Sequence, residues 1–159
     1  MKIFDWIEEV LSAACLIVMT VLTFANVIAR HVFSASFSFS EEITTYLFVL
    51  LSLLGTAIAA KRRAHLGLTI LTDAVKPEVR RIMEVISYIL AVLFSGAIFL
   101  YGIKMVMNQR MLGQVTAGMQ WPEWIFGSFV PIGAFFVLVR FIQCLIEEFR
   151  KHPKEVGES

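Results

Sequence analysis

Between Glu42 and Lys61 the chain runs for 18 residues, ITTYLFVLLSLLGTAIAA, without a charge. At about 1.5 Å of rise per helical residue, such a run spans most of a hydrocarbon layer about 30 Å thick. Lipid offers the backbone no water, so an unclosed segment crosses it only as a helix, where each amide finds its partner within the segment. The flanks agree. Ser38-Phe39-Ser40-Glu41 has capping-box spacing, Glu41 and Glu42 set negative charge against the positive end of the helix dipole, and Lys61-Arg62-Arg63 closes the run.

The pattern recurs three times. Val10 to Ala29 is an uncharged stretch of 20 residues ending at Arg30-His31, Val85 to Ile103 is charge-free, and a further apolar run begins near Ile125 and contains Arg140. With 58% hydrophobic and 17% charged residues over 159 positions, the chain is too apolar to surround a soluble core. The expected fold is an all-α integral membrane domain over residues 1–159, with four transmembrane helices at about 10–29, 43–60, 85–103 and 125–146.

At the N-terminus Ile3, Phe4, Ile7, Val10 and Leu11 share a helical face opposite Asp5, Glu8 and Glu9, so this segment is expected to lie in the interface before the chain turns inward. Three acids beside the single Lys2 do not make a signal peptide. Residues 66–75, with Leu66, Leu68, Ile70, Leu71, Ala74 and Val75, are too short to span, and predict an amphipathic arm on the membrane surface. Pro77 and Glu78 suit the first turn of the third helix. Trp121-Pro122-Glu123-Trp124 reads as an interfacial anchor before the fourth. In that fourth crossing Gly127, Pro131 and Gly133 predict a kink or close packing, and Arg140 is expected to snorkel to the interface.

Lys and Arg divide unevenly between the two sides. Ten fall with the termini and the second connection (Lys2, Lys61, Arg62, Arg63, Lys76, Arg80, Arg81, Arg150, Lys151 and Lys154), against Arg30, Lys104 and Arg110 opposite. That split puts both termini in the cytoplasm.

Little in the sequence carries chemistry. No crossing holds an ionisable group deep in the membrane apart from Arg140 near its cytoplasmic end, so an enzyme or a self-contained carrier is not expected. Cys15 and Cys144 lie in apolar runs without a CxxC pair, and His31, His65 and His152 are placed wrongly for axial haem ligands, so no cofactor or metal is expected. Nucleic acid is not an expected ligand. What remains is packing and anchoring. Ser52, Gly55, Thr56 and Ala59 put small side chains at three- and four-residue spacing, and with Gly127 and Gly133 they are candidate helix-packing positions, facing either a helix of this chain or another subunit. Arg30, Glu41 and Glu42 are candidates for a contact at the outer face, although adjacent carboxylates point about 100° apart on a helix and also serve simply as helix-end charge. Lys61, Arg62 and Arg63, with Trp121 and Trp124, are candidate membrane anchors, the basic run also suiting anionic lipid. An anchor subunit of a redox complex and a small autonomous exporter remain the alternative classes.

Arg30-x2-Phe33, Ser40-Glu41-Glu42, Leu54-Gly55-x-Ala57, Arg63-x-His65, Pro77 with Arg80, and Pro122 with Pro131-Ile132-Gly133 together resemble the small membrane subunit of the tripartite ATP-independent periplasmic (TRAP) transporters, the DctQ-like family. The resemblance covers nearly the whole chain. It departs from the family where an Asp often stands four residues after the His, since this chain has Thr69 there and Asp73 a turn later. The resemblance implies a bacterial inner-membrane protein. Its partners would be a large membrane subunit that moves an organic acid with a sodium gradient and a periplasmic binding protein that delivers it. The small subunit would brace the large one, without a substrate or sodium site of its own.

Overall fold

The structure is a computed structural model that describes residues 2–32, 38–61 and 77–155. These form helices α1 (Lys2–Val32), α2 (Ser38–Lys61), α3 (Pro77–Met111), α4 (Glu123–Gly127) and α5 (Phe129–Glu155). Four spans, in α1, α2, α3 and α4 continued by α5, are long and apolar enough to cross a membrane, and a single bridge between Val115 and Pro122 is the only extended pairing among the described residues. The domain is all-α and of membrane type. The expected surface arm at 66–75 lies outside the described residues, as do Arg62, Arg63, Thr69 and part of the second basic connection.

Helix α5 is the hub. It packs against both α2 and α3, while α1 packs chiefly on α2. One core cluster joins Ala57 and Ala60 of α2 to Tyr88 of α3 and to Val137, Phe141 and Cys144 of α5, and a second joins Cys15 of α1 to Leu50 and Leu54. Lipid tails are as apolar as these side chains, so burial among helices gains little from water exclusion, and close packing of small residues carries the association instead. Ala57 and Ala60 are almost wholly enclosed for that reason.

Proline sets the break between α4 and α5. Pro131 has no N–H to donate to the carbonyl of Gly127, so the ladder is interrupted at Ser128, and bonding resumes from Ile132 N–H to the Ser128 carbonyl at 3.2 Å. The kinked turn brings the Pro131 ring against Gly102 of α3, where an added Cβ would lie 3.3 Å from it.

Two expectations are corrected. The N-terminal segment does not lie apart from the first crossing, because α1 is continuous from Lys2. Nor does Ser38 stand outside the helix as a cap. It is already helical, and the hydroxyl of nearby Ser40 donates to the Leu22 carbonyl of α1 at 3.1 Å, tying the two helices together.

Candidate helix-docking interface

The outward face of α2 differs from the other exposed faces. Glu41, Thr45, Phe48, Ser52, Gly55, Thr56 and Ala59 recur at three- and four-residue spacing and are all exposed, so one stripe of mostly small or polar side chains runs the length of the helix. Exposed positions on α1 mix the large Leu16, Ile17, Val21, Phe24 and Val27 with the small Ala13, Ala14, Thr20, Thr23 and Ala25. The exposed face of α3 is mostly large, with Ile82, Ile86, Leu90, Leu93 and Phe94. Beside the α2 stripe lies an apolar furrow of about 250 Å³ between α2 and α3, floored by Ala134, Val137 and Phe141 of α5. An added Cβ at Gly55 would meet nothing within 4 Å. Ser52, Gly55 and Ala59 are exposed and have no helix against them among the described residues.

Gly127 and Gly133 do not share that surface, and of the two alternatives they face helices of this chain. Both are buried inside the bundle. A Cβ on Gly133 would sit 2.7 Å from Cβ and Cδ1 of Leu53, and one on Gly127 would overlap the side-chain amide of Gln109. These glycines let α5 approach α2, and α4 approach α3, within the chain.

The two adjacent carboxylates separate. Glu42 accepts the backbone N–H groups of Gly118 at 2.5 Å and Met119 at 3.3 Å, and so holds the tip of the loop between α3 and α4. That loop is well defined. Gly113, at φ +60°, ends α3 in a Schellman arrangement, with Gln114 N–H donating to the Gln109 carbonyl at 3.0 Å and Gly113 N–H to Arg110 at 3.3 Å. Thr116 N–H then donates to the Trp121 carbonyl at 2.8 Å, and Glu123 N–H to Gln114 at 2.9 Å, which returns the chain to α4. Glu41 points elsewhere. Its carboxylate is exposed and has no partner among the described residues. Arg30 is exposed in the last turn of α1.

Of the expected anchors, Lys61 ends α2, Trp121 is exposed on the loop, and Trp124 lies under the Arg110 guanidinium at 5.7 Å. No group of three His, Cys, Asp or Glu gathers as a metal site among the described residues. Cys15 and Cys144 are free thiols, the Cys144 Sγ–H donating to the Ala60 carbonyl at 3.4 Å.

The sequence reading missed a buried ion pair. Arg140 does not snorkel. It is 1% exposed, and its Nε donates to both oxygens of Glu8, at 2.9 and 3.0 Å, while a terminal nitrogen reaches Glu8 Oε2 at 2.6 Å. Its other terminal nitrogen donates to Gln143 Oε1 at 3.1 Å. Glu8 is itself 1% exposed, so the residue assigned to the polar face of an interfacial segment is instead the counter-ion of a buried cation. A signal was present. Arg140 is the one cation inside an apolar run, and of the acids near the N-terminus Glu8 lies at the same end of the bundle.

The family described as tripartite ATP-independent periplasmic transporters, DctQ component, matches residues 19–151. The chain belongs to that family. A Haemophilus influenzae protein named as a TRAP transporter small permease is 34% identical over 79 residues, 50% of this chain and 49% of its own length. The sialic acid TRAP transporter small permease protein SiaQ of Vibrio cholerae is 30% identical over 140 residues, 87% of this chain and 79% of its own. The sialic acid TRAP transporter permease protein SiaT of Haemophilus influenzae is 25% identical over 150 residues, which cover 94% of this chain but 24% of SiaT. This DctQ-family chain thus spans about half the length of the first relative and a quarter of the last.

Proposed function

We propose that this chain is the small permease subunit that braces a large TRAP membrane subunit during sodium-driven uptake of an organic acid delivered by a periplasmic binding protein. The observation that carries this reading is the α2 stripe of Ser52, Gly55, Thr56 and Ala59, exposed beside the furrow floored by α5, while α3 exposes mostly large apolar side chains suited to lipid. Small residues at helical spacing let a second helix approach closely where water exclusion supplies no drive. The SiaT match adds support, because there the similar segment is about a quarter of a longer permease.

In this reading substrate and sodium bind in the large subunit. The chain's one deep cation, Arg140, is already neutralised by Glu8. The ten-to-three division of Lys and Arg orients the protein in the bacterial inner membrane with both termini cytoplasmic. Lys61, Arg62 and Arg63 then hold the cytoplasmic end of α2 against anionic lipid, Trp121 and Trp124 hold the periplasmic interface, and Arg30 faces the side from which the binding protein approaches.

The test is reconstitution of the large subunit in liposomes with sodium, substrate and the binding protein outside, with this chain, without it, and with Gly55→Leu. Uptake is expected only with the unaltered chain. Full uptake in its absence refutes the bracing role.

A further inference from the structure

We infer that the groove between α1 and α2, at the end of the bundle where the two helices connect, receives a lysine or arginine side chain of the large membrane subunit, with Glu41 as its counter-ion. This rests on the subunit role proposed above and states what one end of the docking face binds.

The groove has a volume of about 320 Å³ and is lined by Thr23 and Asn26 of α1 and by Ser40, Glu41, Thr44 and Thr45 of α2. Two of its hydroxyls are already committed within the chain, Ser40 to the Leu22 carbonyl and Thr45 to the Glu41 carbonyl at 2.8 Å. The Glu41 carboxylate is not: it is exposed and has no partner among the described residues. Arg30, the cation closest in sequence on α1, is exposed and makes no ion pair with Glu41 among those residues. The carboxyl end of α1 and the amino end of α2 lie side by side, so their helix dipoles largely offset, and Glu41 is the charged residue among those lining the groove.

Depth selects the kind of partner. Thr23 lies nine residues before the end of α1 at Val32, roughly 13 Å down the helix axis, so the groove descends the side of the bundle. A water-soluble protein resting on the top of the bundle does not reach that depth, and a lipid tail filling the groove leaves the Glu41 carboxylate unpaired. A long cationic side chain from a neighbouring membrane helix meets both demands. Its aliphatic stem lies in the groove while its N–H groups donate to the Glu41 carboxylate. Glu41 and Thr45 also lead the α2 stripe, so a helix docked on Ser52 and Gly55 passes the groove as it continues towards this end.

The experiment uses the co-expressed complex, captured through a tag on this chain, with Glu41→Gln, Glu41→Lys and Gly55→Leu compared, and a photo-crosslinking residue placed at Thr45 in the unaltered background. Glu41→Lys is expected to lower the retained large subunit at least about tenfold and Glu41→Gln to a smaller extent, since a like charge facing a cation is repulsive. The isolated Glu41→Gln chain should unfold as the unaltered one does. The Thr45 adduct should fall on the large subunit within a few residues of a lysine or arginine. Retention of the large subunit at the unaltered level in Glu41→Lys, or an adduct confined to phospholipid or to the binding protein, overturns the inference. If Gly55→Leu releases the large subunit and Glu41→Lys does not, the docking face stands and the groove assignment fails. If neither releases it, both fail.

Discussion

Removing one partner of the Glu8–Arg140 pair should unfold this protein more readily than removing both. The pair is enclosed on both sides and closed by three short hydrogen bonds from one guanidinium to one carboxylate. Deleting one member of such a pair typically costs about 3–5 kcal/mol, because the other charge stays buried and unpaired, whereas exchanging both for apolar residues of similar volume is close to neutral. The two single changes are not equivalent. A carboxylate left alone in an apolar site takes up a proton and becomes neutral, while a guanidinium stays charged and must drag its head group towards water. Glu8→Leu is therefore expected to be the more damaging, Arg140→Met milder, and Glu8→Leu with Arg140→Met near the unaltered protein. For a chain of this length 1 kcal/mol corresponds to about 2–4 °C in melting temperature, so Glu8→Leu should lower it by about 6–20 °C. The native thiols supply the readout: Cys15 and Cys144 are buried and free, one in α1 and one in α5, and become reactive to a thiol-specific fluorophore only as the bundle opens. An unchanged melt for Glu8→Leu, or a double variant no more stable than the worse single one, would refute the reasoning.

Two glycine substitutions should divide stability from assembly. Gly133→Ala places a methyl 2.7 Å from Leu53 and should destabilise the isolated chain by about 1–3 kcal/mol in the same thiol assay, whereas Gly55→Leu, with nothing within 4 Å, should leave that melt alone and lower capture of the large subunit. Glu42→Ala removes the acceptor of two loop amides and should raise hydrogen–deuterium exchange at Gly118 and Met119 severalfold; unchanged exchange would mean the loop holds itself. A cysteine at Ala117, on the same loop, should react with an impermeant thiol reagent added outside whole spheroplasts, and one at Thr72 should not; the reverse pattern would invert the proposed orientation.

Much of this protein is written in runs of residues. Charge-free stretches of membrane length force helices because the backbone has no other way to bond in lipid, so the number of spans, their order and the polar ends of each were legible from Val10, Ile43, Val85 and Ile125 onwards. Pro131 announced an irregularity, and the break between α4 and α5 follows from its missing N–H. Facing is a different matter. Small residues at helical spacing mark a surface suited to close approach, but Gly55 and Gly133 carry the same mark, and only the packing of α5 between α2 and α3 turned one outward and the other onto Leu53. Likewise Glu41 and Glu42 are indistinguishable as neighbours in sequence. The rotation of α2 gave Glu42 to the loop amides at Gly118 and Met119 and left Glu41 in the groove beside α1. Glu8 and Arg140 are 132 positions apart, and their meeting depended on how the first helix leans against the last. Periodicity within a segment is a local property that backbone bonding enforces, whereas the choice of neighbour for each face is set by contacts among distant segments, and those exist only once the bundle has formed.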